Sequence, residues 1–221
     1  MKKIAFNLAM VALAMVACDN SKELVLSPAN ATIHAAEEQQ LEAVGENSDL
    51  VSWTTANEFV AKVTPQGVVV GNHVGSTTIM AKLGEKGGTC AVNVAPKYNT
   101  YVEPITKWGL TMDEVIAQKG SPNEKEDGYL LYVQDKKNGI IEEYYFEEGL
   151  LYVVYITLFA NSNTPSFLGE RYHCINNDGD GNTYINALTK KDATLAIYYT
   201  SDIMDGEQVD VIVYQSIKLL E

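Results

Sequence analysis

Cysteine is scarce in this 221-residue sequence, which contains only Cys18, Cys90 and Cys174. No C-x-x-C pair is present, so nothing indicates a cysteine metal site, and we predict no cofactor. Cys90 and Cys174 stand among apolar neighbours, in "TCAVNV" and "YHCINN". We expect both to be free, buried thiols, and a disulfide between them is the alternative.

Basic residues are also in short supply. The 16 Lys and Arg residues face 29 Asp and Glu residues, which gives a formal net charge of −13 at pH 7. Two of the basic residues and none of the acidic ones precede residue 18, so the rest of the chain carries −15. Such a surface repels phosphate backbones, which excludes nucleic acid as an expected partner.

Histidine is rare, and no nucleophile motif accompanies it. His34, His73 and His173 lie far apart in the sequence, and no serine stands in a G-x-S-x-G setting. We therefore expect solvated histidines and a protein that is not an enzyme.

Long hydrophobic runs are missing except for one, over residues 4–17, which follows Lys2 and Lys3. As a helix it would span about 21 Å, less than the roughly 30 Å of a bilayer's hydrocarbon core. The sequence therefore predicts a secretory signal peptide over residues 1–17 and no membrane-spanning helix.

Cys18 follows that segment directly, in "MVAC". This tetrapeptide resembles the lipobox of bacterial lipoproteins, although Met15 stands where leucine is usual. The resemblance implies that Cys18 becomes a lipid-modified N-terminus and that residues 18–22 are a tether. It also implies an outer-membrane location, facing either the surface or the periplasm. An ordinary signal peptide cleaved at another small residue is the alternative.

Short apolar runs broken by turn residues follow from Leu24 to residue 95 and predict an all-β sandwich. Trp53 has a large ring suited to the centre of such a core. Gly67, Gly71 and Gly75 stand where strands must turn.

The block "VSWTTANEFVAKVTPQGVVVGNHVGSTTIMAK" carries an ordered pattern of W-x-S-x-N, V-A-x-V, G-x-V-x-G and G-x-x-x-I-x-A, with Thr55 replacing the serine. With Pro28 and Gln39, it resembles the bacterial Ig-like group 2 domain over residues 23–95. The resemblance implies an Ig-like sandwich of the kind that serves as a spacer, an adhesion module or a surface-displayed fold.

Residues 96–100 read as a linker, and the pattern changes after them. Thr111 and Glu114 form a capping-box pair, which predicts a helix over residues 112–119 that Gly120 and Pro122 end. A second helix is predicted from Thr164, because Leu168, Tyr172 and Ile175 recur at helical spacing.

Three strands are expected after each helix. The first set is "YLLYVQD", "IIEEYYFEE" and "LLYVVYITLF", with a type I′ turn at Asn138–Gly139 and another turn at "EEG". The second set is "TYINALT", "ATLAIYYT" and "VDVIVYQSIKLL". Residues 101–221 are therefore predicted to form an α+β domain of two αβββ repeats with an antiparallel sheet.

The segments "WGLTMDEV" and "KGSP" give this half a resemblance to the two-layer repeats of β-lactamase-inhibitor-protein-like proteins. That group acts through protein contact, so the resemblance implies binding without catalysis.

The loop "NNDGDGNTY" looks like a calcium site, with Asp178, Asp180 and Asn182 as candidate ligands. No EF-hand frame is complete in it, and a turn between two elements is the favoured interpretation.

Two further clusters lie on the first three strands of the second half. The acidic cluster Glu142, Glu143, Glu147 and Glu148 is expected to form a solvated strand edge, and paired carboxylates for glycoside hydrolysis are the alternative. Six tyrosines are a candidate binding face for protein or glycan, and sheet packing is their alternative role: Tyr129, Tyr132, Tyr144, Tyr145, Tyr152 and Tyr155. The sequence therefore predicts a lipid-anchored envelope protein whose role is binding or display, with a spacer or inhibitor role as a further alternative.

Overall fold

The computed structural model describes residues 23–177 and 181–219. The predicted signal peptide, the tether with Cys18, and the candidate ligands Asp178 and Asp180 lie outside those ranges. Two separate hydrophobic cores hold the described chain together. One is built from residues 24–94 and the other from residues that begin at Tyr98.

The first half consists of short strands, as predicted. They are β1 (Leu26–Ser27), β2 (Asn30–Ile33), β3 (Glu38–Gln40), β4 (Glu42–Ala43), β5 (Ser52–Thr55), β6 (Ala61–Val63), β7 (Val68–Gly71), β8 (Gly75–Leu83) and β9 (Lys86–Val94). They form sheets in the orders β2-β9-β8-β5, β3-β7-β6 and β1-β4. Alternate residues of β8 and β9 point into the space between the sheets, where Ile79, Cys90 and Val92 are buried.

Trp53 does not fill the centre of this core, contrary to expectation. It stands on β5, an edge strand, and is half-buried, whereas Val69, Ile79 and Cys90 occupy the centre. Its ring covers Gly67, where an added Cβ would lie 2.9 Å from Trp53 Cε2. An edge strand leaves one side of a large ring open to solvent, so Trp53 closes the margin of the core.

Gly71 is required for a reason other than the predicted turn. It is the last residue of β7, and a Cβ there would lie 2.5 Å from the carbonyl oxygen of His34. Close backbone approach therefore excludes a side chain at this position. Gly67, by contrast, has φ 79 and occupies a turn as expected.

The second half consists of two short helices and one sheet. Its elements are α1 (Met112–Lys119), β10 (Glu124–Glu126), β11 (Tyr129–Asp135), β12 (Ile140–Glu147), β13 (Leu150–Phe159), α2 (Thr164–Gly169), β14 (His173–Asn177), β15 (Asn182–Ile185), β16 (Leu195–Met204) and β17 (Glu207–Ser216). The sheet order is β10-β11-β12-β13-β17-β16-β15-β14, and all neighbours are antiparallel. The described chain is thus mainly β-sheet.

The predicted αβββ repeats are not confirmed, because each helix is followed by four strands. The predicted second helix is too long: α2 ends at Gly169, and Ile175 belongs to strand β14. Pairing explains the difference, since His173 and Cys174 lie opposite Ile185 and Tyr184 of β15. Tertiary pairing has overridden the local helical spacing.

Helix α1 has the predicted bounds and the predicted cap. The Glu114 amide donates to Thr111 Oγ1 at 3.4 Å, and the Thr111 amide donates to Glu114 Oε2 at 2.8 Å. Each side chain thus satisfies a backbone donor that the first turn leaves unpaired. Gly120 has φ 88 and ends the helix.

The hairpin turns on either side of β12 differ from each other. Between β11 and β12 only Gly139 has a positive φ, 64°, so the predicted type I′ turn is wrong and a longer loop connects the strands. Between β12 and β13 both Glu148 and Gly149 have positive φ, and Glu147 pairs with Leu150, which is the geometry of a two-residue type I′ turn.

Glu170, just after α2, connects the two halves. Its carboxylate accepts hydrogen bonds from the amides of Lys97 and Tyr98 in the linker, at 2.9 and 3.1 Å. Its carbonyl oxygen accepts one from the amide of Val74 in the first half, at 2.7 Å. Arg171 Nη1 lies 2.5 Å from the same carboxylate and balances its charge. The linker is therefore held by specific bonds.

Candidate binding face

The eight-stranded sheet has two different faces, because side chains alternate along each strand. We call the side that packs against α1 and α2 the helix face. Its buried residues form one cluster with Val115 of α1 and with Phe167 and Leu168 of α2. They include Leu130, Tyr132, Tyr144, Ile156, Tyr184, Ile197, Ile212 and Tyr214.

The opposite side carries neither α-helix of the described chain, and we call its aromatic part the tyrosine face. Strand register places its residues side by side: Tyr129 opposite Tyr145, Leu131 opposite Glu143, Glu143 opposite Tyr155, Tyr155 opposite Val213, and Val213 opposite Tyr198. Tyr198 is 40% exposed and also lies on this side, although it is not among the six predicted tyrosines. The alternation in "LAIYYT" was the available signal.

Two of the six predicted tyrosines do not belong to this face. Tyr132 and Tyr144 are buried on the helix face. Each is an odd number of residues from Tyr129 or Tyr145 on the same strand, so its side chain points to the opposite face. Tyr129, Tyr145 and Tyr155 are half-buried on the tyrosine face. Tyr152 is the extra residue of a β-bulge and is 36% exposed.

The rings of the tyrosine face are in contact with one another. The ring centroids of Tyr129 and Tyr145 are 5.1 Å apart, and those of Tyr145 and Tyr155 are 5.5 Å apart, at 56° and 73° between planes. These are tilted and edge-on arrangements, which aromatic pairs prefer. The three rings form one continuous surface across strands β11, β12 and β13.

Glu143 lies within this aromatic surface. Its Oε1 accepts hydrogen bonds from the hydroxyls of Tyr129, at 2.8 Å, and Tyr145, at 3.3 Å. Burial raises the pKa of both tyrosines, and the Glu143 carboxylate raises it further. Both hydroxyls therefore remain neutral donors at physiological pH.

Glu142, the neighbour of Glu143, points to the helix face, so the predicted solvated acidic edge is wrong for this residue. The Glu142 side chain is completely buried, and its Oε2 lies 2.6 Å from Lys119 Nζ. Tyr144 donates to Oε1, and Gln134 Nε2 donates to Oε2 at 2.9 Å. Both oxygens of the Glu142 carboxylate thus have partners inside the core.

The acidic cluster does not present paired carboxylates. Glu142 and Glu143 lie on opposite faces of the sheet, so they cannot flank one sugar bond. Glu147 and Glu148 are exposed at the β12–β13 turn. The arrangement gives no support to the alternative of glycoside hydrolysis at this hairpin.

The candidate calcium loop is only partly described. Asn182 is the first residue of β15, where its Nδ2 donates to the Tyr184 hydroxyl at 3.1 Å. Within residues 23–177 and 181–219, no group of three His, Cys, Asp or Glu side chains is placed to hold a metal ion. The described residues therefore test neither the turn favoured by the sequence nor the calcium alternative.

The histidines are less solvated than expected. His73 is only 8% exposed: its Nδ1 lies 2.7 Å from the carbonyl oxygen of Phe59, and its ring stacks on Phe59 at 4.2 Å. Burial lowers the pKa of His73. The His73 and His173 centroids are 6.2 Å apart at the junction of the two halves, where they border a cleft of about 620 Å³.

The two described cysteines are both free, but only one is buried. Cys90 lies in the first core, and burial raises the pKa of its thiol. Cys174 is exposed, contrary to expectation, since it stands on β14 at the edge of the sheet. The two residues belong to different halves, which explains why no disulfide joins them.

The pair Glu170 and Arg171 was not predicted from the sequence. Arg171 is the only arginine of the chain, which was an available signal. Its guanidinium donates to the carbonyl oxygens of Phe167 and Tyr98 and pairs with Glu103 at 3.3 Å. A planar group with five donors suits this position better than lysine would.

Comparison with protein families accounts for the first half of the molecule. Residues 22–94 match the family model described as bacterial Ig-like domain (group 2). These residues are a bacterial Ig-like domain. The match confirms the resemblance drawn from the ordered block around Trp53, and it covers about a third of the chain. The Ig-like domain ends just before the linker that Glu170 holds.

No curated protein matches the sequence. The structure is similar to the S-layer protein SbsC, domains 5-6, with a TM-score of 0.27 and 18% identity over 88% of this chain and 84% of that chain. It is also similar to the surface layer protein SbsC, domains 4-9, with a TM-score of 0.28 and 16% identity over 86% of this chain and 26% of that one. Likeness at this level assigns no function to the chain.

Within the described ranges, no helix has the length and apolar character needed to cross a bilayer.

Proposed function

We propose that this chain is a lipid-anchored protein of the bacterial cell envelope. In this proposal the Ig-like domain supports the second half, and the tyrosine face binds a protein or glycan partner. The observation that supports the binding role most directly is the cluster of three contacting rings on the sheet side that bears neither described α-helix. Clustered tyrosines supply large, amphipathic contact area, which is typical of interfaces.

The position of the Ig-like domain is consistent with a supporting role. Glu170 fixes the linker and also contacts Val74 of the Ig-like domain, so the joint has defined geometry. A fixed joint presents a binding face in one orientation, which lowers the entropic cost of binding.

Photo-crosslinking in the source bacterium tests the binding role. Benzoylphenylalanine would replace Tyr152 on the exposed rim of the tyrosine face and, as the matched control, Met80 on the Ig-like domain, since both are similarly exposed. We expect one discrete adduct from position 152 and none from position 80. No adduct, or the same adducts from both positions, would favour a spacer role instead.

Fatty-acid labelling tests the anchor. Radioactive palmitate should label the wild-type protein and the Cys174→Ala variant equally, because Cys174 has no part in the proposal. The Cys18→Ala variant should carry no label. Equal labelling of Cys18→Ala would contradict the proposal that Cys18 carries the lipid. Protease added to intact cells would show whether the protein faces outward.

A further inference from the structure

The carboxylate of Glu143 lacks a cation although it is half-buried. Among the described residues, Glu143 takes part in no ion pair, whereas the more deeply buried Glu142 and Glu170 pair with Lys119 and Arg171. A carboxylate surrounded by apolar groups gains from a nearby positive charge. The Glu143 carboxylate is therefore available to a cation from a partner.

Only one of the two carboxylate oxygens of Glu143 accepts hydrogen bonds from the described residues. Both tyrosine hydroxyls donate to Oε1, and Oε2 accepts no hydrogen bond from a described residue. Asp210 provides the contrast, since it also lacks a cation but accepts four hydrogen bonds shared between its two oxygens. One oxygen of Glu143 thus remains available to an external donor.

The described side chains next to Glu143 leave that oxygen without a donor. The hydroxyls of Tyr129 and Tyr145 already donate to Glu143, and the neighbours across the strands are Leu131 and the ring of Tyr155. Aromatic ring faces are electron-rich and attract cations. An occupant with donors and a positive charge suits both the free carboxylate oxygen and the ring faces, and arginine and lysine side chains have those properties.

The charge of the whole chain favours the same kind of partner. A net charge of −13 attracts basic surfaces and accelerates their approach. A neutral sugar could stack on the rings, but it would leave the carboxylate without a counter-charge.

We propose that Glu143 and the rings of Tyr129, Tyr145 and Tyr155 form a binding site for a basic side chain of a partner protein. This inference rests on the proposed binding role of the tyrosine face and specifies the chemistry of the partner. The basic group lies on the rings and pairs with the free oxygen of Glu143, while the apolar surroundings exclude water from the pair.

Peptide titration of the full-length chain tests the proposed binding site at Glu143. The probes are hexaarginine and hexacitrulline, its uncharged near-isostere, in 150 mM salt. The variants are Glu143→Gln and a matched control, Glu207→Gln, which removes the same charge from an exposed position of the same sheet. We expect hexaarginine to bind about tenfold more weakly to Glu143→Gln and within about twofold of wild type to Glu207→Gln.

The ring contribution is tested separately by Tyr155→Leu, because the Tyr155 hydroxyl makes none of the hydrogen bonds to Glu143. Hexaarginine should bind this variant about threefold more weakly, with an unchanged circular dichroism spectrum. Equal losses of hexaarginine affinity in Glu143→Gln and Glu207→Gln would contradict the proposed binding site. Wild-type protein that binds hexacitrulline as tightly as hexaarginine would contradict it too. If the titration contradicts the site while position 152 still crosslinks, the tyrosine face binds a partner of other chemistry. If only the crosslinking fails, the binding role in the cell is contradicted and the site for a basic side chain is not.

Discussion

Lys119 Nζ lies 2.6 Å from Glu142 Oε2, and the Glu142 side chain has no exposed surface. The ammonium group also lies 5.2 Å from the ring centroid of Tyr132 and 5.6 Å from that of Tyr144. This ion pair joins the last turn of helix α1 to the third residue of strand β12. The attachment of the helix to its sheet therefore combines the packing of Val115 with a buried ion pair.

Replacing Lys119 with methionine should destabilise the second half strongly. The variant leaves the Glu142 carboxylate buried without its counter-charge, which costs about 3 kcal/mol. Urea unfolding monitored by circular dichroism measures this loss. The double variant Lys119→Met/Glu142→Leu should recover much of it, because it buries no charge.

A matched control is Lys125→Met. Lys125 lies 3.7 Å from Asp113 with both side chains exposed, so its loss should change the unfolding free energy by less than about 0.5 kcal/mol. Similar losses in the two lysine variants would contradict a special role for the buried pair.

Removing the Glu170 carboxylate should expose the linker to proteases. In Glu170→Ala the amides of Lys97 and Tyr98 lose their acceptor, and Arg171 loses one of its two carboxylate partners. Trypsin should then cut after Lys97, while the wild-type linker resists at the same enzyme concentration. Mass spectrometry of the fragments identifies the site. Glu147→Ala removes an exposed carboxylate and should resist as wild type does.

The sequence patterns located those elements whose signals are local. The capping pair Thr111 and Glu114 predicted helix α1 to the residue, and "LLYVVYITLF" predicted β13 with its observed bounds. The ordered glycine and valine pattern likewise predicted the Ig-like domain, which the family match confirms. In each case the determining contacts lie within a few residues along the chain.

Features that depend on distant partners were predicted poorly. Local spacing predicts helix at Ile175, but pairing with β15 makes this residue part of strand β14. Glu142 and Glu143 look equivalent in the sequence, but the alternation of the sheet buries one and places the other among tyrosines. The cation that compensates Glu142 comes from α1, and no local pattern indicates that contact.

Acidification should weaken the junction at His73. Burial holds the pKa of His73 below its ordinary value of 6.5, so the native state binds the proton less well than the unfolded state. The stability this provides is complete above pH 6.5 and is lost as the pH falls from there through the lowered pKa. Thermal unfolding at pH 7.5 and at pH 5.5 should show the decrease.

Replacing His73 with phenylalanine should remove part of that pH dependence, because phenylalanine keeps the stacking on Phe59 and does not titrate. His34→Gln is the control, since His34 lies elsewhere, with its Nδ1 2.8 Å from the carbonyl oxygen of Ala95. If His73→Phe loses as much stability on acidification as wild type, His73 is not the group responsible.

Glu148→Asn should stabilise the protein. Glu148 has φ 51 in the two-residue turn between β12 and β13, a conformation in which the Cβ of most residues is strained, and Gly149 follows it with φ 80. Asn-Gly is the preferred sequence for this turn, so the substitution should add about 0.5 kcal/mol, seen as a higher Tm. Glu148→Ala separates strain from charge, because alanine removes the same charge but keeps the unfavourable Cβ. Equal Tm values for the asparagine and alanine variants would show that charge alone, and not backbone conformation, limits stability at this turn.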